Sequence, residues 1–442
     1  MELTVEQALA LAPDAAAATA GRKLGTPRGW RNLGRSDAAL WGECQGSALY
    51  QVRVALDDLT AKCSCPSRKF PCKHAIGLLV LAASDPAALT DSEPPAWVDD
   101  WLARRAASAK RREAGPSASA PAPSRAKGGT AQRADRREAR VAAGLDALDL
   151  WLDDLIRNGL AGVESRPATF WEAQAARLVD SQAPGLAARL RRMAAIPNAT
   201  PDWPARLLDR LGRLALLTHA YRRQDDLDSA LREDVRAAVG WSLREEEVVA
   251  RGEVVRDGWL VLGQRVTIED RLRTQATWLV GARSGRPALA LQFAHGSAPF
   301  AQTLAPGTRL DADLVYWPGA YPLRALVRER HGAPAPLAGP LPGPPTIDAF
   351  LDGVAAATAR QPWLDRFPCV LNGVTPLRDD AAGWLMRDRD GAALPLTPGE
   401  HWRLLALGGG RPLDLAGEWD GTALTPLGAW ADGAYHLFAE VR

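Results

Sequence analysis

The sequence Cys63-Ser64-Cys65, six residues, then Cys72-Lys73-His74 constrains this chain more than any other feature, because three thiols and an imidazole fall within twelve positions. Three thiolates and one imidazole match a tetrahedral Cys3His zinc site in which the protein fills every coordination position. Such a site has no vacant position for water or substrate, so the expected role of one Zn2+ is to cross-link a core too small to stand alone. Ordinary redox-active thiols would leave the spacing of His74 without a reason, and cysteine clusters outside oxidising compartments are more often metal-binding. The other two cysteines, Cys44 and Cys369, read as small buried hydrophobes.

The residues around the motif give it a local fold. Tyr50, Val52, Val54 and Leu56 alternate with Gln51, Arg53 and Ala55, the period of a half-buried strand, and Asp57-Asp58 turns the chain into a second strand over Ala61 to Cys65. Side chains two apart on a strand share a face, so Cys63 and Cys65 both reach one ion. The apolar run after Cys72, KHAIGLLVLAAS, has the length and the Leu and Ala content of a buried helix whose start presents Cys72 and His74. The order is β-β-α. Thr4 with Gln7 forms a capping-box signature for a short first helix, Pro13 and Asp14 open a second, and Trp97 and Trp101 share one face of a later helix that packs back on the module.

The stretch CSCPSRKFPCKHAIGLLVL, with YQVRV before it and PPAWVDDWLARR after it, resembles the SWIM zinc finger, whose pattern is C-x-C-x(n)-C-x-H, and in particular the bacterial SWIM-domain proteins. The resemblance covers about the first quarter of the chain, and its ligand positions fall on Cys63, Cys65, Cys72 and His74. It implies a ββα zinc module used for nucleic-acid or protein contacts. For the bacterial members it also implies, as a family association, a MoxR-type AAA ATPase or a von Willebrand A-domain protein as partner.

Charge is uneven along the chain. The overall formal charge is +2, yet residues 103–140 hold eleven Lys or Arg against three Asp or Glu, so this segment carries +8 and the remainder −6. Its Ser, Ala, Pro and Gly content reads as a flexible basic linker over 104–140. Near the ligands, Lys62, Arg68, Lys69 and Lys73 are cationic, with no acid among residues 62–74, and Phe70 lies between them. These cations could meet phosphates while Phe70 stacks on a base, or they could offset the charge of three thiolates on one Zn2+.

Beyond the linker, Leu145, Leu148, Leu152, Leu155 and Ile156 recur at helical spacing. Similar stripes over Phe170 to Val179, Leu186 to Met193, Leu207 to Leu217 and Leu227 to Val239, punctuated by prolines, give a helical domain over 141–240. From 241 to 442 alternating runs predict antiparallel strands with one internal helix, Ile347 to Thr358, in two small barrels or sheets. Asp257-Gly258, Asp390-Gly391, Asp420-Gly421 and Asp432-Gly433 mark hairpin turns, Trp402 falls in a strand-like run, and Gly408 to Gly410 form a turn. The expected fold class is therefore multidomain α+β, with the zinc module over 1–103.

The chain has no G-x-x-x-x-G-K-[ST], no G-x-S-x-G and no H-E-x-x-H. His219, His295, His331, His401 and His436 read as isolated structural or surface residues. With 47% hydrophobic and 24% charged residues, no bilayer-length apolar run and no basic cluster ahead of the first apolar residues, a cytoplasmic protein is expected. Two functional readings remain: a noncatalytic adaptor that binds protein partners, and a nucleic-acid-binding factor that uses finger and linker. An enzyme would need an acid-base or nucleophile set that the motifs do not provide.

Overall fold

The computed structural model describes residues 3–67, 69–113, 127–200, 202–269 and 271–438, with backbone alone at 108–113, 127–131 and Ala161. The N-terminal part runs α1 (Val5–Ala10), α2 (Ala15–Leu24), β1 (Trp30–Arg35), β2 (Ala39–Gln45), β3 (Leu49–Ala55), β4 (Ala61–Cys63), α3 (Lys73–Ser84), β5 (Thr90–Asp91) and α4 (Ala96–Glu113). The Thr4 hydroxyl accepts from the Gln7 amide at 3.2 Å and the Gln7 side chain accepts from the Thr4 amide at 2.9 Å, so the capping box starts α1 as expected. Asp14 caps α2 by accepting from the Ala17 amide, and Gly25 ends it.

The expected β3-β4-α3 unit is present inside a larger sheet of order β4-β3-β2-β1-β5. Strands β1 and β2 escape a periodicity reading because the ladder slips between Arg31 and Gly34 and Asn32 takes a positive φ, which breaks the alternation of faces. Helix α3 is buried on nearly every side, with Ile76, Leu78, Leu79 and Leu81 fully enclosed. It meets α2 at two glycines: a Cβ on Gly21 would lie 2.4 Å from Ile76, and one on Gly77 would lie 2.6 Å from the Leu24 Cβ. On the other side of the sheet, Val98 packs with Ala39 and Trp41, while the Arg53 guanidinium lies 5.1 Å from the Trp97 ring and 5.8 Å from that of Trp101.

The expected flexible linker over 104–140 is corrected at both ends. Helix α4 continues to Glu113, and α5 (Lys127–Arg157) begins well before Arg140. The Ala, Arg and Glu content of these ends favours helix, and the Leu145 to Leu155 stripe anchors the helix onto which the N-terminal turns add. Residues 114–126, where the rest of that expectation falls, lie outside the described residues. One of the segment's cations serves packing, since Arg137 donates to the Gly240 carbonyl at 2.9 Å and lies 3.8 Å from the Trp241 ring, and beside it the acidic Glu138 pairs with Arg236 at 2.7 Å.

The helical region comprises α5 with α6 (Ala168–Asp180), α7 (Pro184–Met193), α8 (Trp203–Arg222) and α9 (Ser229–Val239), followed by the short α10 (Glu245–Arg251). The predicted stripes meet in one core that includes Leu145, Leu148, Trp171, Leu178, Leu190 and Leu211. On α9, Asp234 is buried, and its carboxylate accepts from the Ala320 amide at 2.7 Å across the boundary with the C-terminal region. Burial pushes this carboxyl up to about 6, with Asp228 and Glu233 adding to the rise and the Ala320 N–H opposing it. A folded value above the ordinary 3.8 means that the ionised form is disfavoured by folding. The penalty is absent below the ordinary value, grows between it and about 6, and is complete above that. Asp234→Asn is therefore expected to raise thermal stability at pH 7.5, by on the order of 3 kcal/mol, and to change it little at pH 4. Melting curves at the two pH values check this, and equal shifts at both would contradict it.

The C-terminal region opens with β6 (Val254–Glu269), β7 (Leu272–Gly281), β8 (Pro287–His295), β9 (Thr308–Tyr316), β10 (Ala325–Arg330) and β11 (Ala335–Pro336), a sheet of order β10-β9-β6-β7-β8 with β11 beside β9. After α11 (Ile347–Arg360) come β12 (Phe367–Asp379), β13 (Gly383–Arg387), β14 (Ala393–Pro395), α12 (Trp402–Gly408), β15 (Leu413–Trp419), β16 (Leu424–Ala431) and β17 (Ala434–Leu437), in the order β14-β13-β12-β15-β16-β17. Bridges Leu289 to Arg324 and Leu396 to Leu424 curl each sheet back toward closure, and Leu262, Trp278, Ala416 and Leu427 fill the space between the sheets.

Three predicted Asp-Gly turns occur at hairpin ends with positive φ at Gly391, Gly421 and Gly433. The fourth is corrected: Asp257-Gly258 lies inside β6, where the buried Asp257 carboxylate accepts from the amides of Gly258, Arg283 and Ser284 and so braces the β7–β8 turn. Trp402 is likewise helical rather than extended, because Leu404 is buried and Gly409 closes the turn in the left-handed conformation. The region thus holds a second helix that alternation did not disclose. The N-terminal module also docks here: the Gln7 side chain donates to the Gly307 carbonyl, and Ala305 joins the module's core.

Candidate metal centre

Two backbone devices bring the four predicted ligands together. Pairing of Val52 with Cys63 fixes the end of β4, and Cys65 follows just past it, its amide donating to the Cys63 sulfur at 3.4 Å. Cys72 is the N-cap residue of α3, and His74 is the second residue of that helix. The ligand atoms of Cys63, Cys65, Cys72 and His74 all lie within 4.8 Å of one another. His74 Nδ1 is 3.8 Å from Cys63 Sγ and 3.9 Å from Cys72 Sγ. Tetrahedral zinc bonds of ordinary length place such atoms roughly 3.6 to 3.8 Å apart, so the cluster has the dimensions of a single Zn2+ site.

The electrostatics call for the same ion. Hydrogen bonding from Cys63, aided by His74 and the Ala75 amide, brings the Cys72 thiol down to about 4 against the cost of its burial. Donating to Cys72, together with burial, drives the Cys63 thiol far up, and burial raises that of Cys65. Three thiolates crowded together repel one another, whereas a divalent cation lets all three ionise. The four residues therefore form a Cys3His centre for one structural Zn2+, with every position filled from the chain.

A neighbour that spacing does not reveal is Tyr50, whose ring lies 5.0 Å from that of His74 and helps to fix its orientation. It faces the site because β3 turns Tyr50 toward the helix start, a three-dimensional relation that strand alternation only hints at. Cys44, on β2, pairs with Tyr50 of β3 and is buried, as is Cys369, in keeping with their reading as apolar residues.

The residues predicted to touch nucleic acid are divided by the structure. Lys62 and Lys73 are exposed. Lys69 is ion-paired at 2.6 Å with Asp14, whose carboxyl it holds below the usual range. Phe70 is half-buried and lines a cleft against β6 and β7 residues, while Arg68 lies outside the described residues. Of the histidines read as isolated, His331 is not: its Nε2 lies 3.0 Å from Asp313 and its Nδ1 3.9 Å from Glu329, since Asp313 and Glu329 are paired across β9 and β10. None of the described helices is long and apolar enough to cross a membrane.

Residues 50–82, which hold the cluster, match the SWIM zinc finger, and residues 136–239, which hold most of α5 through α9, match the SWIM-associated four-helix bundle domain. No curated protein and no solved structure shows significant similarity to the chain. Both matched modules are noncatalytic, and the chain carries a SWIM zinc finger followed by a SWIM-associated helical bundle.

Proposed function

We propose that this protein is a noncatalytic adaptor whose SWIM finger and associated domains bind protein partners, among them a separately encoded ATPase system of the MoxR type or its von Willebrand A-domain companion. The observation that carries the reading is the closed Cys3His centre, which holds β4 to α3 and leaves no coordination position for a substrate. Its support comes also from the docking of the N-terminal module, through Gln7 of α1, on the segment that leads into β9, which makes the module part of a composite surface. Nucleic-acid binding is the alternative, favoured by the exposed Lys62 and Lys73, and weakened by the pairing of Lys69 with Asp14 and by the packing role of Arg137.

Calorimetry with the purified full-length zinc protein and a purified MoxR-type ATPase tests the proposal, with fluorescence anisotropy against single- and double-stranded DNA and RNA alongside. The adaptor reading expects a saturable protein complex and oligonucleotide binding that disappears as salt rises to physiological strength. No complex, together with zinc-dependent oligonucleotide binding at that salt, would replace it with the alternative.

A further inference from the structure

Between α7 and α8 of the bundle and the α11, β12 and β15–β16 segments of the C-terminal region lies a cleft of about 620 Å³. Six guanidiniums line it, from Arg189, Arg192, Arg206, Arg210, Arg213 and Arg366, against the three carboxylates of Asp209, Asp365 and Asp420. The lining therefore carries an excess of three positive charges. Behind it, Glu418 takes both Arg366 and Arg265 at 3.2 Å, and this added acid and base leave the excess unchanged.

The local bonding shows where that excess sits. Asp365 is shared by Arg189 at 3.0 Å, Arg192 at 3.1 Å and Arg210 at 3.3 Å, so one carboxylate faces three cations. Arg213 has Asp209 as its own partner at 3.0 Å. Arg206 is held by the hydroxyls of Thr200 and Thr422, each at 3.2 Å. The Asp420 carboxylate is already engaged by the Thr422 hydroxyl and the Thr422 and Ala423 amides. The Arg192 side chain is exposed and is repelled by Arg189, Arg366 and Arg210, with Asp365 opposing that repulsion. Gathering like charges in a concave site costs free energy that a bound anion would recover.

Guanidinium forks match phosphate oxygens in geometry and charge. The remaining wall is apolar, formed by Leu214, Leu351 and Val354 with the rings of Phe367 and Trp419. The volume lies within the roughly 300 to 1,000 Å³ of small-molecule sites, and a cleft pinched between two domains differs from the continuous groove along which a nucleic-acid strand runs. We propose that this cleft binds a phosphate-bearing small molecule, with its phosphate on Arg192 and Arg206 and an apolar or aromatic part against Phe367 and Trp419.

Calorimetry on the full-length zinc-loaded protein with sodium pyrophosphate, ADP and a short oligothymidylate tests this, in parallel with R192A/R206A. That variant leaves Asp365 with Arg189 and Arg210, so no carboxylate is stranded. ADP is expected to bind more tightly than pyrophosphate, and both to lose at least about tenfold in affinity in the variant, the worth of one charge-assisted hydrogen bond. If the double variant melts early, Arg206→Gln, which keeps a donor for Thr422, carries the same expectation. Failure of both small anions to bind the wild type at millimolar concentration, equal affinity in the variants, or tighter binding of the oligothymidylate than of ADP would overturn the proposal.

Discussion

Cys65→Ser is expected to abolish stoichiometric zinc binding and to unfold the β3-β4-α3 unit while the helical bundle and the C-terminal sheets stay folded. Zinc contributes about 10 to 16 kcal/mol to the folding of small zinc-finger peptides, and here it joins the end of β4 to the cap of α3. Without it, three thiols and an imidazole adjoin at the end of a three-residue strand, and the loop between Cys65 and Cys72 is left to contacts such as the Lys69–Asp14 ion pair. The bundle core around Leu148 and the sheet cores around Trp259 and Trp419 contain none of these residues, which is why the effect should stop at the module. The docking contact of Gln7 with Gly307 should be lost with the module. Elemental analysis for zinc and hydrogen exchange resolved by segment check the result. A zinc-free variant with native protection in β3 and α3 would refute the structural role of the site.

The metal site was legible in the sequence because its determinants are local: four ligand types at short spacing, one alternating strand and one apolar run. The helical stripes were legible for the same reason, since Leu145, Leu148 and Leu152 announce a face whatever they pack against. What the sequence concealed depends on partners distant along the chain. Asp257-Gly258 has the composition of a turn, but three amides from its own strand and the β7–β8 turn recruit its carboxylate and hold it within β6. Arg189, Arg206 and Arg366 look like part of a general arginine bias until folding brings α7, α8 and β12 to one cleft. Lys69 looked free because Asp14, which neutralises it, lies before the first strand.

Glu418→Ala is expected to destabilise the C-terminal region by about 2 to 3 kcal/mol, because it leaves a buried indole N–H without its acceptor and two half-buried guanidiniums without their carboxylate. This carboxylate is almost fully buried; one oxygen is ion-paired with Arg265 and Arg366, each at 3.2 Å, and the other accepts from the Trp278 indole N–H at 2.8 Å. Arg265 and Trp278 belong to the first sheet and Glu418 to the second, so a single side chain links the sheets through charged groups. Its removal strands two guanidiniums and a buried N–H at once, which costs more than the lost contacts. Urea denaturation, reported by tryptophan fluorescence and by circular dichroism, measures the effect. Glu418→Gln keeps the shape and an acceptor for Trp278 but loses the charge, so it should cost less. The Arg366 that it releases lines the arginine cleft, where the positive excess then grows by one. Glu418→Gln should therefore weaken the fold while strengthening pyrophosphate binding, opposite effects that a purely structural role for these arginines would not produce.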